Sequence, residues 1–177
     1  MKECLKKNNM HIFLIGLMGS GKTYWANQIA THFNWDNYDL DHLIEVSEKK
    51  IIADIFYEYG ENYFRHKEKE TLEKTIAFAN SIIATGGGTP CFFNNMEWMN
   101  EHGTTIWIDE DIDTLTERLK KEKHHRPLIK NLNDDELKTF VTQKLEERKK
   151  HYSQSKYHLA KENINKENFI KIIQQYV

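Results

Sequence analysis

The sequence predicts an α/β fold with a parallel sheet flanked by helices. Two observations carry that prediction. Short apolar runs at residues 11–15, 81–84, 104–108 and 157–160 alternate with longer segments of helical spacing. The first run leads into Gly16-Leu17-Met18-Gly19-Ser20-Gly21-Lys22-Thr23, and a helical segment follows at once. Strand, glycine-rich loop, Lys-Thr and helix form the Walker A arrangement of a phosphate-binding loop.

That loop is the point around which the rest is organised. Its glycines permit backbone conformations that a side chain would forbid, so N–H groups can close around a phosphate at the positive end of the helix. Gly16, Gly19, Ser20, Gly21, Lys22 and Thr23 are therefore candidate nucleotide-binding residues. Lys22 is expected to reach the β- and γ-phosphates of ATP, and the Thr23 hydroxyl to hold Mg²⁺.

Composition narrows the class. The chain has 177 residues, which suggests one domain over 1–177 with a proper core. Net charge is −2, from 25 basic and 27 acidic residues, which argues against general nucleic-acid binding. No apolar run approaches a membrane span, and residues 1–9 lack the apolar stretch of a secretory signal. Cys4 and Cys91 are far apart and have no metal-ligand spacing, so a reducing cytoplasm fits. The His124-His125 pair cannot share a helix face and reads as solvated.

In chain order, residues 24–33 read as a helix with Trp25, Ile29 and Phe33 facing the core. The centre of residues 35–41 reads as a short strand ending in Asp39 and Asp41. Asp41 could simply cap the next helix, with Asp39 solvated. At the carboxyl end of a strand that follows a phosphate-loop helix, the pair is better placed for chemistry. Asp39 is a candidate for holding water on Mg²⁺, and Asp41 for accepting a hydrogen bond from a substrate hydroxyl.

Residues 51–56 begin a short helix ending near Gly60, and a longer helix is expected over 61–80. Arg65 and Glu68 share a face of it, so Glu68 could orient Arg65 toward an anionic substrate; a bland surface pair is the alternative. Phe56 and Phe64 could wall such a pocket or be ordinary core. The strand at 81–84 runs into Thr85-Gly86-Gly87-Gly88, where three glycines suggest a group passing close to the backbone.

A helix is expected over 92–100 and another over 111–121, with Ile112, Leu115 and Leu119 at core spacing. The cationic run from Lys120 to Arg126-Pro127 has no apolar anchor before Leu128. It reads either as a solvated loop or as a mobile lid over phosphates. The longest helix is expected over 133–154, with Arg148 near its end, and a terminal helix over 166–177 with Asn165 as its cap.

The Walker A loop, Asp39-Leu40-Asp41, Phe64-Arg65, Gly86-Gly87-Gly88, Arg126-Pro127-Leu128 and Arg148 occur in that order. The set resembles the shikimate kinase family from about His11 onward. The resemblance implies a three-layer P-loop NTPase fold of the nucleoside-monophosphate-kinase kind, with a five-stranded parallel sheet and a mobile lid at about 120–133. It implies transfer of the ATP γ-phosphoryl group to the 3-hydroxyl of shikimate. By resemblance, Lys22, Asp41 and Arg126 are catalytic, and Asp39 supports the metal shell. Asp41, Arg65, Gly86, Gly87, Gly88 and Arg148 bind shikimate, with a substrate-binding segment at about 40–70. Many members carry Pro-Leu-Tyr after the second arginine; Lys150-His151-Tyr152 keeps only the tyrosine. The stretch from Arg118 to Arg126 is one residue longer than the family's commonest lid, and no adenine-stacking role is assigned to Arg118.

A kinase for another polyol acid, such as gluconate, would share the loop and fold, but Asp41, Arg65 and the glycine run favour shikimate. A nucleotide-binding regulator without catalysis would be expected to lack the lysine, an acidic residue or the arginines, and all are present. A cytoplasmic monomer without nucleic-acid or membrane partners is expected.

Overall fold

The computed structural model describes residues 9–123 and 128–177. Its centre is β1 (His11–Ile15), buried along its whole length. β1 pairs in parallel with β3 (Ser81–Ala84) on one side and β4 (Thr104–Asp109) on the other. β2 (Asp36–Asp39) lies outside β3, and β5 (Tyr157–Ala160) lies outside β4. The sheet is therefore five-stranded and parallel, in the order β2-β3-β1-β4-β5.

Side chains alternate between the two faces of each strand, and both faces are covered. Phe13 and Ile15 join Ile83 and Trp107 in one core cluster. That cluster is closed by α2 (Leu40–Glu48), α3 (Ile52–Lys74), α4 (Asn95–His102), α5 (Ile112–Glu122) and α6 (Asp134–Tyr152). Ile12 and Leu14 join Ile82 and Ile106 in the other, under α1 (Lys22–Phe33) and α7 (Lys166–Ile173). Burial on two faces is why β1 reads as an unbroken apolar run. Each fully buried aliphatic side chain contributes about 1.5–3 kcal/mol.

From β1 the chain crosses to the outer strand β2, returns to β3, then passes to β4 and β5 on the opposite side. Connections diverge at β1, so a crevice opens beyond the carboxyl ends of the strands there. The phosphate loop, Asp39 and the glycine run all leave the sheet at that edge.

Several elements differ from the sequence expectation. α1 starts at Lys22, inside the loop motif, because Gly21 itself takes the cap position at φ 89°. The helix expected to reach residue 80 stops at Lys74 and continues only as a 3-10 turn, Thr75–Ala77. Gly60, at φ 79° and ψ 172°, breaks α3 at the boundary that the sequence predicts. A 3-10 turn at Thr89–Cys91 and a left-handed Phe93 delay α4 to Asn95. α6 begins with a full capping box between Asn133 and Glu136, which satisfies two N–H groups left free at the helix start. Beyond the basic run, Ile129 is fully buried and Leu128 is exposed. His124, His125, Arg126 and Pro127 lie outside the described residues, as does Cys4.

Candidate active site

The phosphate loop grows from the end of β1. A Cβ on Gly16 would meet the Ile108 carbonyl oxygen at 2.6 Å, and its φ is +143°. Only glycine lets the chain leave the sheet at that point. Gly21 caps α1 without offering a side-chain oxygen to the N–H groups of the first turn. Those donors and the positive end of the helix suit an anion. Lys22 folds back over the loop, and its Nζ donates to the carbonyls of Gly16 and Leu17, both at 2.9 Å. The ammonium is thus pre-positioned at the loop, and Lys22 is buried.

The Thr23 hydroxyl donates to Asp39 Oδ2 at 2.7 Å, joining α1 to the end of β2. Asp39 Oδ1 accepts from the Asp41 N–H at 3.1 Å and the His42 N–H at 3.4 Å. Asp39, not Asp41, is therefore the cap of α2. Asp41 lies in the first turn, and its Oδ1 sits 2.9 Å from where a Gly86 Cβ would stand. Burial, then the charges of Asp39 and Glu68, push its pKa up to about 6, against the pull of Lys22 and Arg65.

The glycine run is a contact surface. A Cβ on Gly86 would lie 2.9 Å from both Asp41 Oδ1 and Glu68 Oε1. One on Gly87 would lie 3.2 Å from Arg148 Nη1, and one on Gly88 2.7 Å from Arg65 Nη1. None of the three has a positive φ. They are glycines because four charged side chains converge on them, which is a requirement of space and not of backbone freedom.

Behind the run, Glu68 is fully buried and bridges two partners. One oxygen accepts from Arg65 Nη1 at 2.9 Å, the other from the Thr89 hydroxyl at 2.6 Å. Arg65 also donates through Nη2 and Nε to Glu61 Oε1, at 2.9 and 3.2 Å. The Phe92 ring covers its guanidinium, with the centroid 4.0 Å away. The Phe56 and Phe64 rings meet at a tilt, with centroids 4.6 Å apart, and belong to the core. Tyr152, fully buried, donates its hydroxyl to the Gly87 carbonyl at 2.5 Å. Burial raises the Tyr152 and Cys91 pKa values, and Arg148 and Arg65 oppose the rise in both. The two arginines thus act on the same two side chains, although α3 and α6 carry them.

A cleft of about 750 Å³ runs over the phosphate loop from Asp41 and Gly87 to Glu110, Arg118 and Lys161. Arg118 donates to the Gly19 carbonyl at 3.0 Å and pairs with Glu110 at 2.7 Å, so it borders the loop from α5. Among the described residues, no three His, Cys, Asp or Glu gather as a metal site.

The family model described as shikimate kinase matches residues 18–177. The chain belongs to the shikimate kinase family. It is 42% identical to a shikimate kinase of Phocaeicola vulgatus, over 82% of this chain and 83% of that one. The crystal structure of shikimate kinase from Bacteroides thetaiotaomicron superposes with a TM-score of 0.84 at 37% identity, covering 94% of this chain and 95% of that one. Shikimate kinase from Acinetobacter baumannii in complex with shikimate superposes at a TM-score of 0.80 and 25% identity, covering 96% of this chain and 91% of that one.

Around the cleft and the glycine run stand residues that sequence reasoning missed. Thr89, Phe92, Glu110 and Lys161 gave no signal, because their roles depend on packing between distant segments. Glu61 was legible, since it stands four residues before Arg65 on one helix. Arg126 lies outside the described residues.

Proposed function

We propose that the cleft and the glycine run are the two halves of one phosphoryl-transfer site. The reaction moves the γ-phosphoryl group of ATP to the 3-hydroxyl of shikimate, giving shikimate 3-phosphate and ADP on the route to chorismate and aromatic amino acids. One observation carries the residue assignment. Asp41, Arg65 and Arg148 all pack against three consecutive glycines at the edge of the phosphate-loop cleft.

On this reading Gly16, Gly19, Ser20, Gly21, Lys22 and Thr23 hold the nucleotide phosphates. Arg65 and Arg148 suit the single carboxylate of shikimate, where charge-assisted bonds are strongest. Asp41 faces the ring hydroxyls from the other end of the glycine run. It orients the attacking oxygen and takes up its proton as the new O–P bond forms and the bond from the γ-phosphorus to the bridging oxygen breaks, releasing ADP. Phosphoryl transfer needs positioning and charge neutralisation more than covalent help. Lys22 supplies fixed positive charge at the loop, and Arg126 would add more from the lid.

Thr23 and Asp39 offer a hydroxyl and a carboxylate 2.7 Å apart, hard oxygen ligands of the kind Mg²⁺ prefers. Bound there with nucleotide phosphates, Mg²⁺ would neutralise charge that develops on the phosphoryl oxygens.

The reading extends to one domain over 1–177, with acceptor segment 40–70 and lid 120–133, acting as a cytoplasmic monomer. No helix among the described residues is long and apolar enough to cross a membrane. A net charge of −2 argues against general nucleic-acid binding. The test is a coupled ADP-release assay across candidate acids. Release is expected with shikimate and not with gluconate; the reverse would overturn the assignment.

A further inference from the structure

We propose that Glu61 is a built-in competitor for the substrate carboxylate: it occupies Arg65 until that carboxylate displaces it. The proposal rests on the reading of Arg65 as a carboxylate-binding residue.

The guanidinium of Arg65 is fixed on three sides. Nη1 donates to Glu68, which is itself locked by Thr89. Gly88 abuts both Nη atoms, and Phe92 covers the face. Arg65 therefore cannot turn to present another edge. The remaining edge, Nε and Nη2, is the one whose parallel N–H groups match the two oxygens of a carboxylate. Both of those donors are given to a single oxygen of Glu61.

The two glutamates are not alike. The Glu68 side chain is 1% exposed, whereas the Glu61 side chain is 56% exposed. Among the described residues the Glu61 side chain has no hydrogen-bond partner besides Arg65. It also directly follows Gly60, where α3 departs from helical geometry. Glu61 can swing into water at little cost, and Glu68 cannot. An incoming acid thus exchanges one carboxylate for another at Arg65, and its net gain is only the difference. In return, the Nε and Nη2 donors of the largely buried guanidinium are not left unsatisfied when the site is empty, which would be costly.

The test is a double-mutant cycle read by calorimetric titration of shikimate, without nucleotide. Glu61→Gln keeps the shape and removes the charge. It is expected to tighten shikimate binding about fivefold, the scale of a partly exposed ion pair. Arg65→Ala is expected to weaken binding, and in that background Glu61→Gln should have no effect. The carboxamide of shikimate should gain nothing from Glu61→Gln. Weaker or unchanged binding in the single variant would overturn the proposal, as would an equal gain with Arg65 absent. Unchanged binding on Arg65→Ala alone would instead overturn the carboxylate assignment, and the competitor role with it. Thermal melting of each variant separates these outcomes from loss of fold.

Discussion

The Tyr152 hydroxyl donates to the Gly87 carbonyl at 2.5 Å, across 65 residues of sequence. This bond ties the last turn of α6, which carries Arg148, to the middle of the glycine run. Tyr152 also packs against Trp107 of β4, so the tie is backed by the sheet. In Tyr152→Phe the ring remains and the bond is lost. The expected cost is about 1–2 kcal/mol of stability, read by chemical denaturation. The KM for shikimate should rise several-fold while that for ATP holds. An unchanged shikimate KM would separate the tyrosine from the acceptor pocket.

Gly88 stands against both Nη atoms of Arg65, and a Cβ there would lie 2.7 and 2.8 Å from them. Gly88→Ala must push the guanidinium off its seat between Glu68 and Phe92. A loss of about tenfold or more in kcat/KM for shikimate is expected, since small displacements in a positioning site are costly. Nucleotide affinity, measured by fluorescence titration of ADP, should stay near wild type.

Asp41 carries a charge that its surroundings disfavour, with Asp39 and Glu68 close by. Asp41→Asn removes that charge at nearly constant volume. Turnover should fall by about 10²–10⁴-fold, and stability near neutral pH should hold or rise by about 1–2 kcal/mol. Steady-state kinetics and thermal melting on the same sample check both halves. A loss of stability would mean that the carboxylate is a structural acceptor.

Lys22 spans the loop through two carbonyls at 2.9 Å. Lys22→Ala should lower kcat by about 10²-fold or more, because its charge acts on a developing one. Circular dichroism should show an intact fold, since the sheet and both core clusters lie elsewhere. Normal turnover in the folded variant would contradict the loop assignment.

Thr23 and Asp39 share a hydrogen bond at 2.7 Å. Thr23→Val removes the hydroxyl and keeps the helix. The Mg²⁺ concentration for half-maximal turnover should rise several-fold, read by metal titration at saturating ATP and shikimate. No change would take Thr23 out of the metal shell.

The strands, the phosphate loop and the charged residues that converge on the glycine run were legible in the amino-acid sequence. Local signals suffice there: apolar runs for strands buried on both faces, fixed glycines before Lys22-Thr23, and Arg65 one turn from Glu68. Helix ends were less legible, because Gly21, the Thr89–Cys91 turn and Phe93 set them through backbone geometry rather than periodicity. Only folding settles that Asp39 caps α2 while Asp41 turns to Gly86. The same holds for the reach of Tyr152 to Gly87 and the cover of Phe92 over Arg65. One cause underlies all of these. Such contacts join segments tens of residues apart, and the closeness of approach that makes Gly86, Gly87 and Gly88 necessary exists only once β3, α2, α3 and α6 have packed together.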